Sequence, residues 1–242
     1  MKNNHPKTLL KTAFITGANR GLGMGFVKYL SGQGYLVFAG ARNLTSEHAD
    51  TDSIKWVKID VCDDMSIDAA VAKISEIVPN IDLLINNAGV SKDSATDNHK
   101  ELVCNLKDLD RSMLLKMFNV NSISPLIVTQ KFLHLLISKP CFVINISSGR
   151  GSYQDEYPNP IGNYGYRASK TALNMLTHCS TWDLPENVKT FSVHPGGIKT
   201  DMNPGGNDDP SVQAERIVEI TQAWKEEYNG KFLRYNGVLY PL

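Results

Sequence analysis

Hydrophobic residues in this chain fall into short, nearly unbroken runs separated by longer stretches in which apolar positions recur every three or four residues. The runs are Ala13 to Ile15, Tyr35 to Ala39, Trp56 to Ile59, Ile81 to Asn86, Cys141 to Ile146 and Thr190 to Val193. Each is bounded by turn residues and has the length of a strand. Helical spacing marks Gly21 to Gly32, Ser66 to Val78, Asp110 to Ser138, Ala168 to Trp182 and Ser211 to Tyr228. Strands apolar on both faces and alternating with helices predict an α/β fold: a doubly wound parallel sheet with helices on both sides. Near the C-terminus, Asn236-Gly237 between Phe232–Tyr235 and Val238–Tyr240 predicts a tight hairpin, because Asn-Gly suits the positive φ angles of a type I′ turn.

Two polar stretches interrupt this rhythm. Ser91 to Lys107 follows the fourth strand and Gly149 to Gly165 the fifth. Loops leaving the carboxyl ends of strands in an open α/β sheet form the ligand crevice. No repeat, linker or low-complexity segment divides the chain, so residues 1–242 are expected to form one domain.

Composition narrows the field of partners. The 25 basic and 25 acidic side chains cancel, leaving no net field to attract nucleic acid or an anionic membrane. The four cysteines, Cys62, Cys104, Cys141 and Cys179, lack metal-ligand spacing and suggest neither a zinc site nor a disulfide framework. With no secretory-type leader and no apolar run long enough to span a bilayer, a cytoplasmic location is expected.

The stretch TGANRGLG, Thr16 to Gly23, follows the first strand and opens the first helix. Glycines there let backbone approach a pyrophosphate, and the helix N-terminus offers amides and a positive dipole end to that anion. The spacing departs from GxGxxG, with Phe26 in the third glycine slot counted from Gly21. Arg42 follows the second strand, where an acidic residue would bind the ribose 2′-hydroxyl of NAD and an arginine favours the 2′-phosphate of NADP. Arg20 and Arg42 converging from adjacent turns would clamp that phosphate; two solvated surface arginines are the plain alternative.

Tyr166 has a lysine, Lys170, four residues on, which places both on one helical face. Bringing a phenol from its ordinary pKa of ~10 to near 7 takes ~4 kcal/mol, and a neighbouring ammonium acts in that direction. Ser148 lies just past the fifth strand, and Asn121 is a polar amide among Met117, Phe118, Val120 and Ile123.

Together these motifs resemble the short-chain dehydrogenase/reductase family from about Thr12 to Leu242: TGANRGLG, NNAG at Asn86–Gly89, FNVNS, NISS, YRASK and HPGGIKTDM. The later segments are most similar to its C-factor and sniffer-type carbonyl reductase branch. The resemblance implies a Rossmann-type fold and a tetrad in which Tyr166 is the general acid, Ser148 (with Ser147 in reserve) orients the substrate oxygen, Lys170 holds the nicotinamide ribose and lowers the tyrosine pKa, and Asn121 supports a water-linked proton path. It implies cofactor contacts from Gly17, Asn19, Arg20, Gly21, Leu22, Gly23 and Arg42, from Asp60 and Val61, from Asn87, Ala88 and Gly89, and from Pro195, Gly196, Ile198 and Thr200. No metal is implied.

The expected function is NADP(H)-dependent reduction of an aldehyde, ketone or quinone, or the reverse oxidation of an alcohol, by a homodimer or homotetramer. NAD(H) is the alternative cofactor, as in an NAD-dependent alcohol dehydrogenase. A nucleotide-binding signalling or scaffold protein without turnover is the alternative from another class. The long Ser148-to-Tyr166 interval with Tyr153 and Tyr157, Gly197 beside the expected nicotinamide, and the short segment Asn203–Pro210 depart from the family pattern and leave substrate identity open.

Overall fold

The computed structural model describes residues 11–91, 106–138, 140–154 and 163–242. Seven strands, β1 (Thr12–Thr16), β2 (Leu36–Ala41), β3 (Ile54–Lys58), β4 (Leu83–Asn86), β5 (Cys141–Ile146), β6 (Val188–His194) and β7 (Phe232–Arg234), form one sheet in the order β3-β2-β1-β4-β5-β6-β7. Every adjacent pair is parallel. This is the doubly wound, Rossmann-like architecture the alternating pattern predicts. Strand order reverses between β1 and β4, so the loops leaving those two strands part and leave a crevice.

Alternation along each strand sorts side chains between two cores. Ala13 and Ile15 of β1 face α1 (Gly21–Gly32) and α6 (Pro210–Gln222), joining Phe26, Leu30, Phe191 and Ile217. Phe14 points the opposite way, into a core with Phe38, Ile67, Ile74 and Phe132 supplied partly by α2 (Asp64–Ser75). There it stacks on the Phe132 ring at 4.6 Å between centroids. Glycine at position 25 brings α1 and α6 together: a Cβ there would lie 2.5 Å from the Pro210 carbonyl oxygen. Gly25→Ala gains up to ~1 kcal/mol of helix propensity but forces the helices apart at a cost of ~1–3 kcal/mol. A Tm lowered by about 2–6 °C is expected in calorimetry.

The long helix expected over Asp110–Ser138 is broken. Helix α3 (Arg111–Phe118) passes through a π-turn, Asn119–Ile123, into α4 (Ser124–Phe132), and a 3-10 turn, Leu133–Leu135, ends it. Pro125 is responsible, since it has no N–H to give the carbonyl of Asn121 four residues back, and the Ser124 N–H reaches five residues back to Asn119. The helix read as Ala168–Trp182 starts earlier, as α5 (Tyr164–Ser180), and the last helix ends at Gln222, before a separate turn Glu226–Tyr228.

At the C-terminus the Asn-Gly turn is real but of another type. Only Gly237, at φ 77, has positive φ, and the Gly237 N–H donates to the Arg234 carbonyl while the Arg234 N–H donates to the Val238 carbonyl. These bonds describe a type I turn with a glycine bulge rather than a type I′ turn. The returning arm is a single antiparallel bridge, Leu233 to Leu239. The expected loops Ser91–Lys107 and Gly149–Gly165 lie partly outside the described residues, as do Cys104 and Tyr157. Among the described residues no helix is long and apolar enough to cross a membrane.

Candidate active site

At the switch point the first residues beyond β1 and β4 are tied together before the two loops part. Asn87, just past β4, donates from its side-chain amide to the carbonyls of Thr16 and Gly17 at 3.0 and 2.9 Å, and the Thr16 hydroxyl accepts from the backbone of Asn87 and Ala88. The glycine turn is therefore riveted to the end of β4. Close approach requires glycine here: a Cβ on Gly17 would sit 2.9 Å from the Ala88 Cα, and one on Gly23 only 2.1 Å from the Gly17 carbonyl oxygen.

The turn delivers the chain to the start of α1, and that helix end differs from others in the molecule. Asp63, Asp110 and Asp209 cap α2, α3 and α6 through their carboxylates, whereas Arg20 at the N-cap of α1 makes no side-chain cap bond. Gly21, Leu22 and Gly23 thus begin a helix with backbone donors and no resident anion from the cap residue, which fits a dinucleotide pyrophosphate. Thr200 borders the same turn, 3.1 Å from where a Gly21 Cβ would be.

The second half of the site lies at the carboxyl end of β5. Tyr166 is half-buried in the first turn of α5 and Lys170 is buried one turn on. The lysine ammonium donates to the Ile146 carbonyl at 2.7 Å and lies 6.0 Å from the centroid of the Tyr166 ring. Burial lowers the Lys170 pKa to about 7. Ser148 follows Ile146 by two residues; its oxygen accepts from the Arg150 N–H at 3.2 Å, leaving its own proton to donate. Ser147 instead turns toward the Lys170 carbonyl at 3.5 Å, which favours Ser148 as the residue facing a ligand.

Asn121 is completely buried and braces the whole assembly. Its amide accepts from the Val90 N–H at 2.8 Å and donates to the Val90 carbonyl at 2.8 Å and to the Ser169 hydroxyl at 3.0 Å. Ser169 in turn donates to the Tyr166 carbonyl. One amide thereby ties the β4 loop to the helix segment between Tyr166 and Lys170. Its side chain is fully used in that brace, so the group available for a proton path is the Asn121 backbone carbonyl, which Pro125 deprives of an α-helical donor. Gly89 adjoins both groups: a Cβ there would lie 3.4 Å from Asn121 Oδ1 and 3.7 Å from Lys170 Nζ.

The loop after β6 supplies the remaining wall. Gly196, at φ 89, turns sharply after Pro195, and the Gly197 N–H donates to the Asp208 carboxylate at 2.8 Å. Ile198 pairs with Asp208 in a parallel bridge. Asp208 was not expected from the sequence; only its place across the loop from Gly197 reveals that it shapes the segment.

Residues 11–211 match the family model described as short chain dehydrogenase. The chain belongs to the short-chain dehydrogenase family. Among curated relatives of this family, the C-signal protein of Myxococcus xanthus is 35% identical over 166 residues, spanning 66% of this chain and 92% of that protein. An uncharacterized oxidoreductase of Schizosaccharomyces pombe is 29% identical over 97% of this chain and 99% of its own length. NADPH-bound carbonyl reductase from chicken fatty liver superposes with a TM-score of 0.83 at 30% identity, covering 96% of this chain and 99% of its own. Carbonyl reductase Sniffer of D. melanogaster gives 0.85 at 28%, covering 96% and 100%. The resemblance to the sniffer-type branch holds at the level of structure, and the protein is an oxidoreductase of this dehydrogenase family.

Around Arg20 and Arg42 the side chains make contacts that the sequence did not announce. The Arg20 guanidinium, rather than standing free beside Arg42, forms an ion pair with Asp201 at 2.6 Å. Arg42 is exposed just beyond β2. Asp60 accepts from the Cys62 N–H and its own N–H donates to Ser66, and Val61 within this turn packs against the core of Phe14, Phe38 and Ile67. Asn19 is exposed in the glycine turn.

Proposed function

We propose that the protein catalyses NADP(H)-dependent reduction of a carbonyl compound, an aldehyde, ketone or quinone, with the reverse alcohol oxidation on the same groups. The observation that carries this reading is the buried Lys170 ammonium beside the Tyr166 ring and the Ser148 turn, at the same edge of the sheet as an uncapped helix N-terminus. The nicotinamide, when bound, supplies the hydride. Tyr166 gives its phenolic proton to the substrate oxygen, Ser148 donates a hydrogen bond that orients it, and Lys170 holds a ribose hydroxyl and favours the phenolate left behind. Asn121 keeps these groups in register and offers its carbonyl to a water. Gly17 to Gly23, Asp60, Val61, Asn87 to Gly89, and Pro195, Gly196, Ile198 and Thr200 line the cofactor. Arg42 and Arg20 favour the 2′-phosphate, and the absence of a carboxylate at Ala41 disfavours NAD(H).

The test is oxidation of NADPH and NADH in parallel against a panel of aldehydes, ketones and quinones. Turnover with preference for NADPH supports the reading; tight NADPH binding with no turnover of any compound favours a nucleotide-dependent binding module.

The protein is further proposed to act in the cytosol as a homodimer or homotetramer. Leu115, Ile123, Leu126, Met175 and Trp182 are exposed on α3, the π-turn, α4 and α5 and the turn beyond it, apolar side chains that a partner chain would cover. Sedimentation should give twice or four times the monomer mass, and a single monomeric species at working concentration would exclude this assembly.

A further inference from the structure

The Arg20–Asp201 ion pair joins two places far apart in sequence: the N-cap of α1 and the tip of the loop after β6. The loop is hydrogen-bonded on either side of that tip. Thr200 and Asn203 exchange backbone bonds at 3.2 and 3.0 Å, the Asn203 N–H also donates to the Thr200 hydroxyl, and the Lys199 N–H donates to the Asp208 carbonyl. A tight turn therefore presents Asp201 as a projecting carboxylate. With Thr200 against Gly21, the loop lies over the start of α1, the end that lacks an acidic cap. Both side chains of the pair are largely solvent-exposed, 69% for Arg20 and 75% for Asp201, so the fold does not depend on it.

We propose that Asp201 is an internal anion that competes with the 2′-phosphate of NADP for Arg20, and so sets the cofactor preference below what the two arginines alone would give. This rests on the functional reading above. A phosphomonoester carries more charge than a carboxylate and offers three acceptor oxygens to a guanidinium, so it displaces Asp201 when it binds. NADH has no group at that position and leaves the pair intact. Asp201 thus reduces the advantage of NADPH by the strength of an exposed ion pair, which the phosphate must displace.

The experiment measures dissociation constants of NADPH, NADH, 2′-AMP and 5′-AMP for the wild type, Asp201→Asn, Arg20→Gln and the double variant by calorimetry at fixed ionic strength. An exposed pair worth up to ~1 kcal/mol corresponds to about fivefold. Asp201→Asn should bind NADPH and 2′-AMP roughly three- to fivefold more tightly, with NADH and 5′-AMP within about twofold. In the Arg20→Gln background the same change should have no selective effect. Equal tightening of NADPH and NADH, no tightening of NADPH, or a gain that persists without Arg20 each overturns the proposal while leaving the reductase reading standing. Failure of the wild type to bind either dinucleotide overturns both.

Discussion

Tyr166→Phe is expected to lower turnover by about 10²–10⁴-fold, the range over which positioned general acids contribute, while NADPH affinity stays within about threefold. The substitution removes one oxygen and leaves the ring, which packs half-buried at the start of α5 and faces the Lys170 ammonium at 6.0 Å. Ser148 and Lys170 keep their backbone anchors, since neither the Arg150 N–H nor the Ile146 carbonyl involves the phenol. What is lost is the proton donor, and a thousandfold fall corresponds to ~4 kcal/mol of transition-state stabilisation. Stopped-flow single turnovers with NADPH, together with fluorescence titration of the cofactor, separate the two quantities. A variant that retains most of its rate would remove Tyr166 from the chemistry and transfer the acid role to a water or another group. Loss of cofactor binding together with rate would assign it to the binding surface instead.

The sheet was largely legible because its information is local. Strands such as Ala13–Ile15 and Cys141–Ile146 are buried on both faces and so read as unbroken apolar runs, and the glycine turn is a contiguous motif. The spacing of Tyr166 and Lys170 placed both on one helix, as α5 bears out. What escaped depends on contacts between distant segments. Asp201 answers Arg20 across 181 positions, and neither residue carries a sign of the other. Asp208 is one acid among several until the loop folds and sets it against the Gly197 amide. Phe26 stands in the third glycine slot, and the close approach of α1 to a neighbour comes instead at Gly25 one position earlier, which faces the Pro210 carbonyl of α6. The break at Asn119–Ile123 was signalled by Pro125, although apolar periodicity on both sides carried the helix straight through it. The bracing by Asn121 escaped for the same reason: its side-chain amide joins the β4 loop to α5, segments far apart in the sequence.

Lys170→Met should abolish turnover and at the same time stabilise the unliganded protein, because among the described residues the ammonium is buried against a single carbonyl and has no opposing carboxylate. Its pKa falls from 10.5 to about 7 on folding, which corresponds to a penalty on the order of 5 kcal/mol when the group is charged in both states. The sign follows from proton counting. Below about pH 7 the folded and unfolded chains both hold the proton, and the full penalty applies. Between about 7 and 10.5 the unfolded chain holds it and the folded chain releases it, so wild-type stability rises with pH relative to the variant. The gain from Lys170→Met is therefore largest at pH 6, roughly 2–5 kcal/mol, and smaller at pH 9, where folding has already discharged the amine. Chemical denaturation of both proteins at these two pH values measures the difference, and a gain that did not shrink with rising pH would show that the amine is not desolvated in the fold. The same burial links stability to function. A ribose hydroxyl at Nζ would add an acceptor and raise the pKa, so NADPH binding at pH 8 should take up protons in the wild type and fewer in Lys170→Met, read from binding heats in buffers of different ionisation enthalpy. A site that holds an under-solvated cation until its ligand arrives trades stability of the empty protein for an ammonium placed at the phenol.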